Sequence, residues 1–541
     1  MVGYDLMYRT VNSLGITVDG AESDKTPTIA AGPNVKTHTD VNTPWSQVSW
    51  FGRINYDYKQ RYIVSFTMRA DGSSLFAAGN RWGYFPAASA GWIISSEDFW
   101  NVKKFDLLKL RLSYGLTGNN NIGYYDTLGS YTATGKYNGG GTTISSSLPN
   151  ETLTWEQTRQ FDLGVDMSFF DSRLNISADY YDKVSDNLLF DVSLPETSGY
   201  SSAKQNIGSI RFYGLELAIS SVNISKKDFS WTTDFTYSFN ANRVLSLPDE
   251  YYYKDLNGND AWRIGGYRMS ESGYRFGGIA VGEPMGRIYG YKPAYIIETE
   301  AQADAALYDS NSHGYRRSDG KSIAGRKDVG DYEWMDREGS ALTADGKAQI
   351  NGEDMFLLGN VVPHSVGGLG NTFKLKGFAL SIYLDYALGH SIYNYQYTRC
   401  FQTSMGNCNW NLVYDVLNTW RKPGDDTDLA RLTPNDADGG NRNYSRISSV
   451  NVQKGNYLCL RDVSISYELP KKAVKKIGFA GLTFTVSGNT LCYWTGVKGI
   501  SPESGSVGSG TGMYTATNTS STSFSIYPPA RKVLFGIKAI F

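Results

Sequence analysis

The stretch FALSIYLDYAL, residues 378 to 388, has the side-chain pattern of a β-strand. Every second position carries a large apolar side chain: Phe378, Leu380, Ile382, Leu384, Tyr386 and Leu388. A period of two places successive side chains on opposite faces of a strand, so this strand has one continuous apolar face. A strand of this length, rising about 3.3 Å per residue at a tilt of roughly 40°, crosses the apolar part of a bilayer.

The other face of this strand carries Ala379, Ser381, Tyr383, Asp385 and Ala387. A carboxylate pointed at lipid is strongly disfavoured, so Asp385 requires that the second face meets water. The stretch is therefore typical of a lipid-facing strand in a transmembrane barrel with a wet interior.

The composition excludes two other classes of protein. No run of about eighteen apolar residues occurs, which excludes a helical membrane protein. The formal net charge is -1 and the basic residues are dispersed, so the sequence has no basic patch of the kind that binds nucleic acid. Aromatic residues make up 14% of the chain, with 39 tyrosines and 58 glycines, a composition that suits membrane interfaces and many turns.

The alternation recurs along the chain. Between residues 62 and 69, one face carries Tyr62, Val64, Phe66 and Met68, and the other carries Ser65, Thr67 and Arg69. Two residues, Lys59 and Gln60, join this strand to the preceding one, as in a hairpin turn. Repeated from residue 48 to residue 541, the pattern predicts an all-β, antiparallel transmembrane barrel with about thirteen spanning strands.

The connections between predicted strands are of two lengths. Short turns lie at 59–60, 171–173 and 376–377, and long segments lie at 245–358, 396–456 and 497–530. Outer-membrane barrels have short periplasmic turns and longer extracellular loops. We therefore expect the long segments to be extracellular, and the polar residues 1–47 to form a loop of the same kind.

Several motifs occur in a fixed order along the chain. The segment Arg-Ala-Asp-Gly-Ser-Ser, residues 69–74, is followed by Arg81, Gly83, Phe85 and Pro86 in the pattern Arg-x-Gly-x-Phe-Pro. These segments resemble the SusC/RagA-type TonB-dependent transporters of the bacterial outer membrane. Further matches are LRLSYGLTGN at 110–119, GNVVP at 359–363, LRDVSISYELP at 460–470 and SGNTL at 487–491. The resemblance covers roughly residues 48–541.

This resemblance implies a barrel of about 22 strands, preceded by a signal sequence, a TonB-contacting segment and a plug that fills the lumen. The opening residues MVGYDLMYRTVNSLG lack a signal-peptide pattern, and an odd number of strands is unusual for a bacterial barrel. We therefore expect residues 48–541 to be the C-terminal part of the barrel, with the signal peptide, TonB box and plug absent from this chain.

By resemblance, the expected function is TonB-dependent import of a large nutrient, a glycan or a peptide, across the outer membrane. The expected partners are a SusD-like surface lipoprotein, the TonB complex, the cargo and outer-membrane lipids. A passive porin or adhesin barrel is one alternative, and a soluble secreted glycan-binding protein is another. No pair of carboxylates stands out as an acid/base couple, so neither enzymatic activity nor a cofactor is expected.

Aromatic residues in or beside the long loops are the candidate cargo contacts, because their flat faces stack on sugar rings or grip peptide side chains. They are Trp262, Tyr289, Tyr291, Tyr395, Trp410 and Trp420. The alternative is that they pack the loops or mark the membrane interface. The charged residues predicted to face the lumen are Arg69, Arg111, Asp166, Asp179 and Asp385.

No metal site is expected, since the four histidines and four cysteines lack ligand spacings. Cys400 and Cys408 either bridge within a loop or remain reduced. Many relatives carry a calcium-type loop of which only Asp345 and Gly346 remain here. The glycines of GGLG, residues 367–370, are not followed by the helix of a phosphate-binding loop, and they favour a bend in a strand.

Overall fold

A computed structural model describes the chain apart from a set of excluded positions. These are residues 22, 24, 26, 27, 103, 138, 139, 195, 201, 255–258, 265, 266, 269–274, 277, 310–312, 316–321, 338–347, 395, 396, 398–411, 433–441, 445, 477 and 504–528.

Fourteen strands form the main sheet, and their order in the sheet is their order in the chain. They are β1 (Val2–Asp19), β2 (Asn34–Tyr58), β3 (Tyr62–Ser73), β4 (Trp82–Ile93), β5 (Phe105–Asn119), β6 (Glu156–Phe169), β7 (Leu174–Asp186), β8 (Ser209–Ser225), β9 (Phe229–Ser246), β10 (Ser365–Leu375), β11 (Phe378–Leu388), β12 (Tyr457–Glu468), β13 (Gly481–Thr495) and β14 (Lys532–Ile540). The sheet is thus an up-and-down meander, as short turns alternating with long loops require.

Short strands lie in the connections between the strands of the main sheet. They are Ser130–Tyr137, Gly140–Ser147, Leu189–Ser193, Ser202–Asn206, Tyr252–Lys254, Asp260–Ile264, Tyr267–Arg268, Arg275–Phe276, Ile279–Ala280, Arg287–Gly290, Pro293–Ile296, His313–Tyr315, Ser322–Ala324, Tyr332–Trp334, Phe356–Asn360, Ser391–Tyr393 and Val452–Lys454. They pair with one another outside the main sheet.

Helical structure is short in the described part of the chain. The α-helices are α1 (Glu300–Ala305) and α2 (Lys471–Lys476), and single 3-10 turns lie at Ile29–Ala31, Ile94–Ser96, Glu196–Ser198, Asp249–Tyr251, Gly352–Asp354, Tyr414–Asn418 and Ser449–Asn451. A capping box formed by Thr299 and Gln302 starts α1. Within the described residues, none of the helices has the length and apolar character needed to span a membrane.

The chain divides into two compact units. The first comprises Met1–Trp100, Lys109–Leu163 and Asp182–Ser209, and the second comprises Asn101–Leu108, Gly164–Tyr181 and Ile210–Phe541.

In the first unit, the register of β2, β3 and β4 confirms the predicted two-faced strands. Ile54 pairs with Phe66, and Phe66 pairs with Ala88 on one face. Ser65, one residue away, pairs with Asn55 and shares a hydrogen bond of 2.8 Å with it on the other face. Apolar and polar residues are therefore segregated across neighbouring strands.

The hairpin turn predicted between β2 and β3 is also confirmed. Lys59 and Gln60 both have positive φ angles, 54° and 53°. Two successive residues in the left-handed region make the turn type that matches the twist of the flanking strands. Lys376, in the short turn between β10 and β11, has a φ of 54°.

Residues 1–47 contain strands, in contrast to the loop that we expected. β1 pairs with β2 from Val2 opposite Gly52 to Asp19 opposite Asn34. The sheet therefore has fourteen strands instead of about thirteen, and the count is even. Most of β1 does alternate, with Val2, Tyr4, Leu6, Tyr8, Leu14, Ile16 and Val18 at every second position. Thr10 and Asn12 interrupt that apolar face in the middle of the strand and obscure the period.

In the second unit, β9 to β14 pair so that each face continues across the strands. One row of directly paired residues runs through Trp231, Phe373, Leu380, Ile465, Val486 and Phe535. The adjacent row on the opposite face runs through Thr232, Thr372, Ser381, Ser464 and Ser487. The alternation predicted from residues 378–388 thus extends over neighbouring strands.

Two glycines of β10, Gly367 and Gly368, lie against tyrosine rings of β11, and the predicted bend stays a prediction. β10 keeps an unbroken register with both neighbours. A Cβ at Gly367 would lie 2.7 Å from the hydroxyl of Tyr386, and one at Gly368 would lie 2.5 Å from the hydroxyl of Tyr383. These glycines therefore make room for two tyrosine rings that lean across from β11.

Candidate functional site

Two long connections of the second unit, after β9 and after β11, pack together into one folded body. We call the described residues 279–309, 325–337, 348–360, 412–432, 442–444 and 446–451 the loop body. Its apolar core consists of Tyr289, Tyr291, Tyr332, Trp334, Ile350, Met355 and Ala430. These connections therefore carry a hydrophobic core of their own, as folded loops with a function often do.

A buried cluster of charges joins two distant parts of the loop body. Arg431 donates to Asp331 at 2.6 Å and to Asp328 at 3.4 Å, and all three side chains are nearly inaccessible. Asn443 donates to Asp331 at 3.3 Å and to the Arg431 carbonyl at 3.0 Å. Burial raises the pKa of Asp331, and the Arg431 guanidinium offsets part of that rise. Removing one partner would leave a buried charge without compensation.

Two further buried ion pairs lie in the same body. Arg446 donates to Asp309 at 2.6 Å, and its guanidinium lies 4.4 Å from the centre of the Tyr291 ring. Lys327 donates to Glu333 at 2.5 Å, and burial lowers the pKa of Lys327 against the opposing effect of Glu333. The charges of these two pairs are therefore balanced, as their desolvation requires.

The structure places three of the predicted loop aromatics inside the protein. Tyr289, Tyr291 and Trp420 are 6%, 7% and 2% exposed, so their faces are covered by protein. Tyr289 and Tyr291 belong to the loop-body core, and Trp420 packs over Gly330, where a Cβ would lie 2.4 Å from the ring. These three residues stabilise the loops through packing.

Trp262 has a different environment. It is half-buried and meets the exposed Tyr252 edge to face, with ring centres 5.4 Å apart. The Tyr252 hydroxyl donates to Asp260 at 2.8 Å, which fixes the exposed ring. The other two predicted aromatics, Tyr395 and Trp410, lie outside the described residues.

Asp385 lies in a cluster of charges on the polar face of β11 and β12. Arg461 donates to its two carboxylate oxygens at 2.7 and 2.8 Å, a bidentate geometry that gives strong hydrogen bonds. A register shift between Leu460 and Asp462 is a β-bulge, which lets Arg461 and Asp462 serve the same face.

Glu503, which follows β13, completes this cluster. It accepts hydrogen bonds from Arg461 and, at 2.8 Å, from the Tyr493 hydroxyl. Burial raises the pKa of Glu503, but these hydrogen bonds outweigh it and hold that pKa below its usual value. Sequence reasoning missed Arg461 and Glu503. The Leu-Arg motif at 460–461 was a signal for Arg461, but strict alternation cannot reveal a bulge.

In the first unit, Arg69 lies on the polar face of β3. It donates to Asp71 at 2.7 Å and to Ser49 at 2.9 Å. Asp71 is buried, so this ion pair is held within the motif Arg-Ala-Asp-Gly-Ser-Ser. A Cβ at Gly72 would lie 3.1 Å from the Trp82 ring, which explains the glycine of the same motif.

The following motif, Arg-x-Gly-x-Phe-Pro, builds a small aromatic core. Phe85 meets Trp155 edge to face at 5.5 Å, and a Cβ at Gly83 would lie 2.4 Å from the Phe85 ring. The Trp155 indole donates to the Arg81 carbonyl at 3.0 Å. The motif thus packs the start of β4 against Trp155, which precedes β6.

The remaining charged residues predicted for the lumen also lie on polar faces. Arg111 pairs with Gly91, between the pairs Ser89–Ser113 and Ile93–Lys109. Ser177 donates to Asp166 at 2.9 Å and to Asp179 at 3.3 Å. That these faces line a lumen stays a prediction.

Among the described residues, no group of three or more His, Cys, Asp or Glu is placed to hold a metal ion. Cys459 and Cys492 are free thiols. Cys400, Cys408 and Asp345 lie outside the described residues, so their predicted roles stay predictions.

Comparison with known proteins agrees with this architecture. Residues 2–491 match the family model described as "TonB dependent receptor-like, beta-barrel". TonB-dependent receptor P39 of Formosa agariphila is 32% identical over 493 residues, which are 87% of this chain and 44% of that protein. TonB-dependent receptor SusC of Bacteroides thetaiotaomicron is 30% identical over 399 residues, which are 69% of this chain and 38% of that protein.

A solved structure, that of the RagAB peptide transporter, has the same fold. It superposes with a TM-score of 0.76 at 21% sequence identity, covering 99% of this chain and 52% of that chain. The chain spans less than half the length of the two curated relatives.

Proposed function

Since the chain belongs to the TonB-dependent receptor β-barrel family, of the SusC/RagA type, we propose that it is barrel sequence of a transporter that imports a large nutrient across the outer membrane. The fold is the predicted antiparallel transmembrane β-barrel, and members of the family are outer-membrane transporters and not enzymes. The family match over residues 2–491 carries the proposal.

The proposed cargo is a glycan or a peptide. One relative is SusC, and one structural neighbour is the RagAB peptide transporter. We assign Trp262 to cargo contact, because its exposed neighbour Tyr252 forms an aromatic platform with it. Aromatic faces of this kind bind both sugar rings and apolar peptide side chains. Tyr395 and Trp410 remain further candidates for the same role.

The charged residues on the polar faces belong to the same proposal. Arg69, Arg111, Asp166, Asp179 and Asp385 would line the wet interior, where they contact cargo or a plug. Two of these charges are balanced by neighbours, in the Arg69–Asp71 and Arg461–Asp385 pairs. Such pairs give a polar wall without a strong net charge, which suits a large and mostly uncharged cargo.

The proposed partners are a SusD-like lipoprotein and the TonB complex. The loop body has an apolar core of its own and contains buried ion pairs, which suits a platform for a capping protein. TonB would supply the energy. The chain covers less than half of its curated relatives, so coupling to TonB is proposed for the whole transporter.

The test compares uptake of labelled oligosaccharides and labelled peptides in cells with and without the gene. Gene-dependent uptake that a protonophore abolishes supports energised import. Uptake that survives the protonophore contradicts it and identifies a passive porin. Recovery of the protein without detergent would contradict the membrane assignment as well.

A pair of substitutions tests the cargo platform. We expect Trp262→Ala to reduce uptake several-fold, because it removes one ring of the platform. Tyr131→Ala is the matched control, since Tyr131 is a loop aromatic with 74% exposure that lies outside the loop body and has no assigned role. Equal uptake by the two variants would contradict the assignment of Trp262.

A further inference from the structure

An apolar groove lies on the apolar face of the second unit, where β11, β12 and β13 meet their long loops. Tyr386 pairs with Leu458, and Leu458 pairs with Trp494, so the three side chains stand side by side. The groove has a volume of about 380 Å³ and is lined by Tyr386, Leu388, Asn456, Tyr457, Leu458 and Trp494. Two aromatic rings thus form walls on either side of a smaller aliphatic floor.

The groove exists because the Tyr386 ring leans away from Leu458. A Cβ at Gly367 would lie 2.9 Å from Cε1 of Tyr386, so the ring occupies the space that a side chain on β10 would fill. Leu458 is consequently left 39% exposed at the floor, and Trp494 is 53% exposed at the far wall. The depth of the groove therefore depends on two residues, Gly367 on β10 and Leu458 on β12.

Polar groups close the groove at its loop end. The side-chain oxygen of Asn456 accepts a hydrogen bond from the Gly389 amide at 2.8 Å, and its carbonyl accepts one from the Thr495 hydroxyl at 2.9 Å. The surface thus changes from apolar to polar within one or two residues along the strands. Tyr and Trp favour this boundary, where one end of the ring is in lipid and the other in water.

We propose that this groove holds one acyl chain of an outer-leaflet membrane lipid as a resident ligand. The groove is continuous with the apolar face formed by the rows through Leu380 and Ile465, which is the lipid-facing surface of this barrel family. An acyl chain matches the apolar floor and walls, and the lipid headgroup would lie at the polar rim around Asn456. The proposal rests on the membrane location and goes beyond the transport function.

The experiment counts lipids that remain bound after mild detergent extraction of the full chain, reconstituted beforehand in phosphatidylethanolamine nanodiscs. Native mass spectrometry would report the number of lipids per protein. Leu458→Trp fills the floor and should remove one retained lipid. Ile465→Trp is the matched control, because Ile465 lies on the same strand and face, is 52% exposed, and lies outside the groove.

A second variant shows whether loss of the lipid in Leu458→Trp comes from the filled groove or from misfolding of that variant. Trp494→Ala removes a wall without adding bulk and should also lose one retained lipid. Equal lipid numbers in the wild type and both groove variants would overturn the proposal, as would loss of the lipid from the Ile465→Trp control. A chain that does not enter nanodiscs at all would instead refute the membrane assignment, so the two failures are distinguishable.

Discussion

The paired strands β9 to β13 and the loop body belong to the same unit but are stabilised in opposite ways. The strands have a row of apolar residues on one face and a row of Ser and Thr on the other, with no enclosed apolar core between them. The loop body encloses Tyr332, Trp334 and Ile350, each at most 1% exposed, together with buried ion pairs.

The two regions therefore require different surroundings. The strands depend on main-chain hydrogen bonds and on an apolar medium next to their exposed face. The loop body has its own buried apolar core, as a small globular domain does. A substitution that removes a charge should therefore damage the loop body, and one that adds a charge should damage the apolar face of the strands.

The largest effect is expected in the loop body. Asp331→Ala leaves Arg431 buried with its main partner missing, and breaking a buried pair costs about 3–5 kcal/mol. Hydrogen exchange of amides 327–334 and 429–432 should become much faster, while the strands stay protected. Asp426→Ala is the control, because Asp426 is exposed. Unchanged exchange in Asp331→Ala would show that the ion pair does not hold the body together.

The second effect concerns the apolar face. Ile382→Arg places a charge in the row that includes Val463, and a charge on the lipid face near the bilayer centre costs about 2–4 kcal/mol. Ser381→Arg, one residue away on the polar face, should be tolerated. Urea unfolding of the two variants in lipid vesicles measures the difference. Equal destabilisation would mean that the faces do not meet different media.

The third effect is a pH dependence confined to the loop body. Asp354 is fully buried and accepts hydrogen bonds from the Arg337 and Asn351 amides at 2.8 and 2.9 Å. Burial raises its pKa to about 6, although the two amides oppose the rise. Between its ordinary pKa and this value the folded body binds more protons than the unfolded one, so its stability falls as the pH rises through about 6.

On this account the loop body loses on the order of 1–3 kcal/mol between pH 4 and pH 7. Hydrogen exchange, corrected for intrinsic rates, should show faster loop-body exchange at the higher pH. Asp354→Asn should flatten this dependence, because the amide does not titrate. A slope that persists in Asp354→Asn would assign the pH dependence to another group.

The strands could be predicted from the sequence because apolar and polar side chains alternate along them with a period of two. Leu380, Ile382 and Leu384 alternate with Ser381 and Asp385, and this pattern alone specifies two faces. β1 was not predicted because Thr10 and Asn12 interrupt its apolar face, which obscures the period that its other even positions follow. The bulge at Arg461 was not predicted either, because one extra residue breaks the alternation of side chains.

The loop body could not be predicted from the sequence. Arg431 and Asp331 are a hundred residues apart, and nothing local indicates that they pair. The same holds for Tyr289 and Tyr291, whose aromatic character fitted cargo contact and core packing equally well. Their burial, at 6% and 7% exposure, comes from chain segments that only the folded arrangement brings together.

The most direct test of the two-faced strand uses nitroxide labels at positions 382 and 381 of the chain in bilayers, with the four native cysteines replaced by alanine. Collision with oxygen, which dissolves in lipid, and with a water-soluble nickel complex reports the medium around each label. The account predicts high oxygen and low nickel collision at Ile382→Cys, and the reverse at Ser381→Cys. The same collision pattern at both positions, or the opposite one, would contradict it.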